Sequence, residues 1–354
     1  MIVLLLLLFL LPLWGLNRQT GDCLSKDQTS AINGFFVAAV FLCHAYQSLL
    51  RPLGYEFLGR GDARFLWLFE GAFAGRLVVT FLAFSGFGMY EQIKRFGMPY
   101  VAQIPVKRCL VTYLNFVVAV AAFALLNVLV CGENNPKRLA LAFTGFTSLG
   151  NSNWYIVAII FCYFFTWFSA VICRYFKWSH WIGLAILTLL VVGFELVLKA
   201  CGKSAPWWNT MLAFPFGALL SCGLDGLHRM LRFQWFAILC VVVFIVLAAI
   251  NDVNNLWLNN VSGCLFVLAI LAITTYVQVK NPLLVWLGNH VFPIYIYQKL
   301  FFLIIVNLHP RVVSQMSVSL YTVLSFGLVA CVAYFYPWFS FKFSKGKLCW
   351  GNFS

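Results

Sequence analysis

Apolar and polar positions along this chain alternate on the scale of a lipid bilayer rather than of a helical turn. Long apolar runs fall near residues 2–16, 31–50, 70–90, 109–131, 153–173, 181–198, 207–224, 233–250, 256–277, 283–306 and 318–339. Most approach the ~20 residues that a helix rising about 1.5 Å per residue needs to cross a hydrocarbon layer about 30 Å thick. The pattern predicts an all-α protein, a polytopic transmembrane helix bundle of about 10–11 spans with no soluble domain. The first run is short, but no basic stretch precedes its leucines and no small-residue cleavage motif follows them. It is read as an extra N-terminal span over 2–16, not as a signal peptide. The longest loops, around 51–69, 91–108 and 132–152, are too short to fold alone. A single integral-membrane domain over 1–354 is expected, with the main bundle at 24–340, so any chemistry takes place within the bundle or at its mouths.

Composition points the same way. Of 354 residues, 63% are hydrophobic and 10% charged, against about 25% charged in soluble domains. A soluble globule, a disordered chain and a coiled coil are excluded. The net charge of +14 would suggest nucleic acid in a soluble protein. Here the basic residues sit in short loops, with no Lys/Arg tract interleaved with aromatics, and no nucleic-acid partner is expected. The charge is read as topology. Lys26, Lys94, Arg95, Lys107, Arg108 and Lys342 fall in the more basic set of loops, and Arg51, Lys137, Arg138, Lys199 and Lys203 in the less basic set. An N-terminus outside and a C-terminus inside follow.

Most of the 12 cysteines lie in or beside apolar runs, where Cys behaves as a small hydrophobe. No CxxC and no Cys/His cluster at zinc spacing occurs, so no metal is expected. Cys131 and Cys201 share the outside loops, where a bridge between them is open.

The short list of polar residues inside spans narrows the search for chemistry: His44, Arg76, Glu195, Asn209, Asn289, His290, Gln298 and Lys299. Each costs at least about 2–3 kcal/mol in a bilayer without a partner or a wet cavity. No HExxH, GxSxG, P-loop or GxGxxG motif accompanies them. Arg76 is expected to snorkel and Glu195 to pair with Lys199 one turn on. His44 lies eleven residues beyond Asn33, ~16 Å along a helix and past mid-span toward the outside. A neutral imidazole there can take a proton from a hydroxyl and return it to a leaving thiolate. Taken alone, a packed histidine is the plainer reading. Trp154, Trp207 and Trp208 at the outer rim fit either an interfacial aromatic belt or sugar-stacking surfaces.

Several ordered motifs shift that balance. Leu24-Ser25-Lys26-Asp27-Gln28-Thr29 leads through Asn33-Gly34 to His44, and Phe84-Ser85-Gly86-Phe87 follows. Lys107-Arg108 then precedes an apolar run. Asn153-Trp154-Tyr155-Ile156, Trp208-Asn209-Thr210 with Phe214-Pro215-Phe216-Gly217, and Leu287-Gly288-Asn289 with Tyr295-Ile296-Tyr297-Gln298-Lys299 complete the set. In this order, over roughly residues 24–300, the chain resembles the acyltransferase-3 family of bacterial integral-membrane O-acyltransferases, which modify sugars and surface glycans. It departs from that pattern at Asn33 and Val111, where the family commonly carries arginines.

The resemblance implies transfer of an acyl group from a cytosolic acyl-CoA, with acetyl-CoA the expected donor, to a hydroxyl of a cell-surface or lipid-linked glycan in the bacterial inner membrane. Acyl-CoA would be a co-substrate, with no tightly bound cofactor and no metal. His44 would be the catalytic base. Asn33, Ser85, Trp154, Tyr295 and Gln298 are candidates for orienting the imidazole or stabilising the oxyanion. Lys26, Lys94, Arg95, Lys107 and Arg108 are candidates for the CoA phosphates. The alternative is a transporter or flippase for a lipid-linked sugar, which would use the same buried polar groups. Paired broken helices would favour it, and Pro293 is the sequence's one sign of a break within a span.

Overall fold

The computed structural model describes residues 2–18, 24–50, 60–132, 135–231, 233–250, 254–308, 315–344 and 347–351. Arg51, Arg232, Arg311 and Lys345 lie outside them, and the side chains of Arg60 and Arg64 are likewise not described. The chain is a helical membrane bundle, and each of the eleven apolar runs is helical over most of its length. The helices are α1 (Ile2–Leu10), α2 (Lys26–Ala45), α3 (Arg60–Phe96), α4 (Val111–Val130), α5 (Trp154–Tyr175), α6 (His180–Ala200), α7 (Ala213–Cys222), α8 (Leu224–Leu231), α9 (Gln234–Ala249), α10 (Leu256–Tyr276), α11 (Pro282–Asn289), α12 (Val291–Leu308) and α13 (Gln315–Phe339).

Among the described residues, seven helical segments are long and apolar enough to span a bilayer, or up to nine if each of two bent pairs counts as one. The N-terminal run folds as a helical segment over Ile2–Leu13, and α7 spans only Ala213–Cys222. At about 1.5 Å per residue, both fall well short of a hydrocarbon layer about 30 Å thick. The α8–α9 pair bends by 93° and the α11–α12 pair by 82°. Asp225 and Arg229 share α8 with leucines on its other face, the pattern of a helix lying along an interface. The α11–α12 bend falls at His290, within an apolar stretch, and is a genuine break. Sequence alone marked only Pro293 near it.

Two helix crossings organise the bundle. α2 crosses α11 where Gly34 meets the Leu284 carbonyl and Gly288 meets the Ser30 carbonyl. α3 crosses α7 where Gly86 meets the Phe214 carbonyl and Gly217 meets the Ala83 carbonyl. A methyl group at any of the four would overlap the facing backbone oxygen. Glycine on both sides allows this approach, and van der Waals contact replaces the hydrophobic drive that lipid does not supply.

Polar side chains tie the remaining pieces in place. Asn281 Nδ2 donates to the Leu11 and Trp14 carbonyls at 2.9 and 3.2 Å, while β1 (Leu16–Arg18) pairs antiparallel with β2 (Val277–Val279). The N-terminal segment is thereby fastened to the α10–α11 junction. A hairpin of β3 (Phe341–Ser344) and β4 (Lys347–Trp350) docks on α4 through Asn115, which exchanges two hydrogen bonds with the Phe341 backbone at 2.9 and 2.7 Å.

Glu195 does not pair with Lys199. Its Oε1 accepts from the Met211 amide at 2.7 Å and its Oε2 from Asn260 Nδ2 at 2.9 Å. The carboxylate serves the unwound backbone just before α7, where amides lack helical partners. Lys199 instead lies 4.6 Å above the Trp208 ring. Arg76 does not snorkel: it is buried, and its Nε donates to Ser262 Oγ at 3.0 Å. Cys131 and Cys201 are both free thiols, so the open bridge does not form.

Candidate active site

The serine cap of α2 starts the helix that carries the central residue: Ser25 accepts from the Gln28 amide at 3.4 Å. Nineteen residues after Ser25, in the final turn of α2, comes His44. Immediately afterwards the chain widens into a π-helical turn, Tyr46–Leu50. A second π-helical stretch, Pro105–Leu110, holds Lys107 and Arg108. Such turns are rare and recur at functional sites. Here one adjoins the candidate base and the other contains two candidate donor cations.

Three residues of α12 face His44. Tyr295, Gln298 and Lys299 stand at positions i, i+3 and i+4, which share one side of a helix. The His44 and Tyr295 ring centroids are 6.2 Å apart, and Gln298 and Lys299 both interact with the imidazole. Gln298 Nε2 is held by the Tyr295 carbonyl at 3.0 Å, which leaves its Oε1 directed elsewhere. His44 Nδ1, Gln298 Oε1 and the Tyr295 hydroxyl are buried without a hydrogen-bond partner of normal geometry among the described residues. Three such atoms at one spot are unusual, since buried polar groups are normally hydrogen-bonded.

An inward-folded loop closes one side of the site. Asn127 Nδ2 holds the Leu149 carbonyl at 2.9 Å, and Asn153 Nδ2 donates to the Gly145 and Thr147 carbonyls. Asn151 Oδ1 accepts from the Leu149 amide at 3.0 Å. These contacts pull residues 145–153 into the bundle, where Ser152 interacts with the Tyr295 phenol. Asn151 Nδ2 is a further buried atom without a hydrogen-bond partner among the described residues.

A file of polar aromatics leads from His44 toward the basic end. Tyr155 lies 5.1 Å from Tyr295, ring to ring, in an edge-on arrangement. Ser85 interacts with both the Tyr155 and the Tyr163 phenols, and Tyr163 in turn senses the Arg108 charge. Arg108 Nε donates to the Tyr100 hydroxyl at 3.3 Å. A succession of hydroxyl-bearing side chains therefore connects α12, α5 and α3 with the π-helical turn that holds Arg108.

The residues singled out from sequence separate under this geometry. His44, Tyr295 and Gln298 come together, and Ser85 joins them through Tyr155. Trp154 packs against the core and lies 6.2 Å from Tyr155, ring to ring, on an edge-on approach. Asn33 lies eleven residues from His44 on the same face of α2, its buried Oδ1 without a hydrogen-bond partner among the described residues, but too far away to touch the imidazole. Of the five candidate cations, Arg108 alone points into the file. Lys94 is committed to Glu91 and the Ser221 carbonyl. Arg95 lies 5.1 Å from the Phe96 ring, and Lys26 and Lys107 are exposed. The tryptophans do not form an open rim: Trp207 and Trp208 are buried, Trp207 stacks on Phe146, and Trp208 Nε1 donates to the Lys203 carbonyl at 2.8 Å. Tyr155, Tyr163 and Ser152 escaped the sequence reading because tyrosine and serine in membrane helices are common. Lys299, four residues after Tyr295, was singled out as a polar group within a span but not as a candidate of the acyltransferase site. No group of His, Cys, Asp and Glu suited to a metal occurs among the described residues.

Comparison with protein-family models, with curated proteins and with solved structures finds no match to this chain.

Proposed function

We propose that this chain is a membrane-embedded O-acyltransferase that carries an acyl group from a cytosolic acyl-CoA to a hydroxyl of a glycan. The observation that carries this reading is the buried Nδ1 of His44, which faces the Tyr295 hydroxyl and Gln298 Oε1; none of the three has a hydrogen-bond partner of normal geometry among the described residues. In this scheme His44 removes the proton of the acceptor hydroxyl as its oxygen attacks the thioester carbonyl. The Tyr295 hydroxyl donates to the developing oxyanion. When the intermediate collapses, the C–S bond breaks and the imidazolium returns the proton to the departing thiolate. Arg108, at the far end of the tyrosine file, suits a donor phosphate. The orientation by loop charge and the acceptor's entry from the opposite face belong to the same proposal.

The test incubates membranes with radiolabelled acetyl-CoA and a glycan extract, comparing wild type with His44→Ala at matched levels of folded protein. Loss of label transfer in the variant is expected. Transfer unchanged by the substitution overturns the mechanism.

The 82° break between α11 and α12 favours one second reading, a transporter of a lipid-linked sugar, since broken helices line substrate sites in transporters. Gradient- or ATP-dependent sugar movement without any label transfer is its signature.

A further inference from the structure

Lys299 is the residue that the proposed chemistry leaves unused. It lies in the interior of α12, half-buried, on the face that meets His44. Neither a hydrogen bond nor an ion pair engages it among the described residues. Of the five acids whose side chains are described, Glu195 is occupied by the Met211 amide and Asn260, Glu91 by Lys94 and Ser221, and Glu70 by Gln47, while Asp27 and Asp225 are exposed. A lysine inside a span is costly unless a counter-charge meets it, and the described protein supplies none.

Its surroundings specify what would meet it. His44 Nδ1 and Tyr295 Oη can each donate or accept, Gln298 Oε1 accepts, and Asn151 Nδ2 donates. Sugar hydroxyls donate and accept at the same atom and match this mixed set. The loop that carries Asn151 and Ser152 is also flanked by cations. Lys203 Nζ donates to the Phe146 carbonyl at 2.8 Å, and Arg138 Nη2 to the Ser148 carbonyl at 3.5 Å. A negatively charged molecule approaching past this loop moves through favourable potential toward Lys299.

We infer that the acceptor is an anionic glycan, whose carboxylate or phosphate pairs with Lys299 while its hydroxyls satisfy His44, Tyr295, Gln298 and Asn151. The inference deepens the acyltransferase reading by naming the acceptor's charge class. Lys299 is a specificity residue: it selects the sugar and takes no part in the proton transfer.

The experiment uses the full-length protein in nanodiscs and has a binding arm and a transfer arm. In the binding arm, thermal stability is recorded with glucuronic acid, glucose 1-phosphate or glucose, for wild type, Lys299→Met and Lys299→Arg. Wild type and Lys299→Arg are expected to be stabilised by an anionic sugar at concentrations roughly tenfold or more below those needed for glucose. Lys299→Met should lose that preference, and without ligand it should melt above wild type, because an unpaired charge has been removed from the membrane interior. A lysine that merely held the fold would give the opposite shift. Whichever of glucuronic acid and glucose 1-phosphate is preferred identifies the anionic group as a sugar carboxylate or a phosphate. In the transfer arm, label from acetyl-CoA is followed onto the same sugars. Anionic preference in binding without transfer supports the inference and removes the acyltransferase reading. Equal response to glucose and both anions, or a preference that survives Lys299→Met, overturns the inference whatever the transfer arm shows.

Discussion

The imidazole of His44 and the phenol of Tyr295 face each other across the α2–α12 contact, with ring centroids 6.2 Å apart. Nδ1 of one and Oη of the other are buried without a hydrogen-bond partner of normal geometry among the described residues. An apolar pair would fill the same space without placing two polar atoms there, which is what the proposed chemistry requires of them.

Tyr295→Phe tests that statement. The ring and its contacts with His44 and Tyr155 remain, and no hydrogen bond of normal geometry is lost. Melting temperature in detergent is expected to stay within the few degrees that correspond to about 1 kcal/mol. Acyl transfer should fall roughly 100-fold, the scale of a lost oxyanion donor. A large drop in stability with transfer intact would assign Tyr295 a structural role.

Gly34→Ala and Gly288→Ala should each prevent stable folding, since the added methyl would meet a backbone carbonyl on the partner helix. Gly193→Ala, in the middle of α6 with open space around it, is the control and should gain up to about 1 kcal/mol from helix propensity. Monodisperse elution by fluorescence-detected size-exclusion chromatography distinguishes them.

Glu195→Gln retains the shape of the side chain but replaces an acceptor by a donor. Facing the Met211 amide and Asn260 Nδ2, the amide can accept from only one. The cost is expected at about 1–3 kcal/mol, read as a lower melting temperature. Glu195→Ala should cost more, because it leaves both donors stranded beside the unwound start of α7.

Arg108→Ala should raise the KM for acetyl-CoA by roughly tenfold or more, the scale of a charged hydrogen bond, with little effect on the KM for the acceptor. Lys107→Ala and Arg95→Ala, both exposed, should change it far less. Equal effects from all three would mean that the donor feels only the general charge of that face.

Cys131 and Cys201 are exposed free thiols. Variants that retain either one alone should react with a membrane-impermeant maleimide added to intact cells, if the loop-charge orientation is right. No mobility change on reduction is expected for the pair. Labelling only after the membrane is opened would invert the topology.

What the sequence alone determined was the class of molecule and the places where polarity breaks into the membrane. Those properties are local: a hydropathy run is legible from its own residues, and a histidine inside one is anomalous wherever the helix goes. It also placed His44, Ser85, Tyr295 and Gln298 in motifs that the bundle connects. What depends on partners was not legible. The numbers of spanning and bent helices turned on tertiary contacts, because α7 and α11 are short helices stabilised by the glycine crossings with α3 and α2. Glu195 found an unwound backbone in place of the lysine one turn away, since the orphaned amides before α7 exist only in the folded chain. The tertiary structure likewise divided the basic cluster, turning Arg108 inward and committing Lys94 to Glu91. It brought Tyr295, Gln298 and Lys299 against His44, a site created by two helices some 250 residues apart in the chain, where each side chain's meaning comes from what lies opposite.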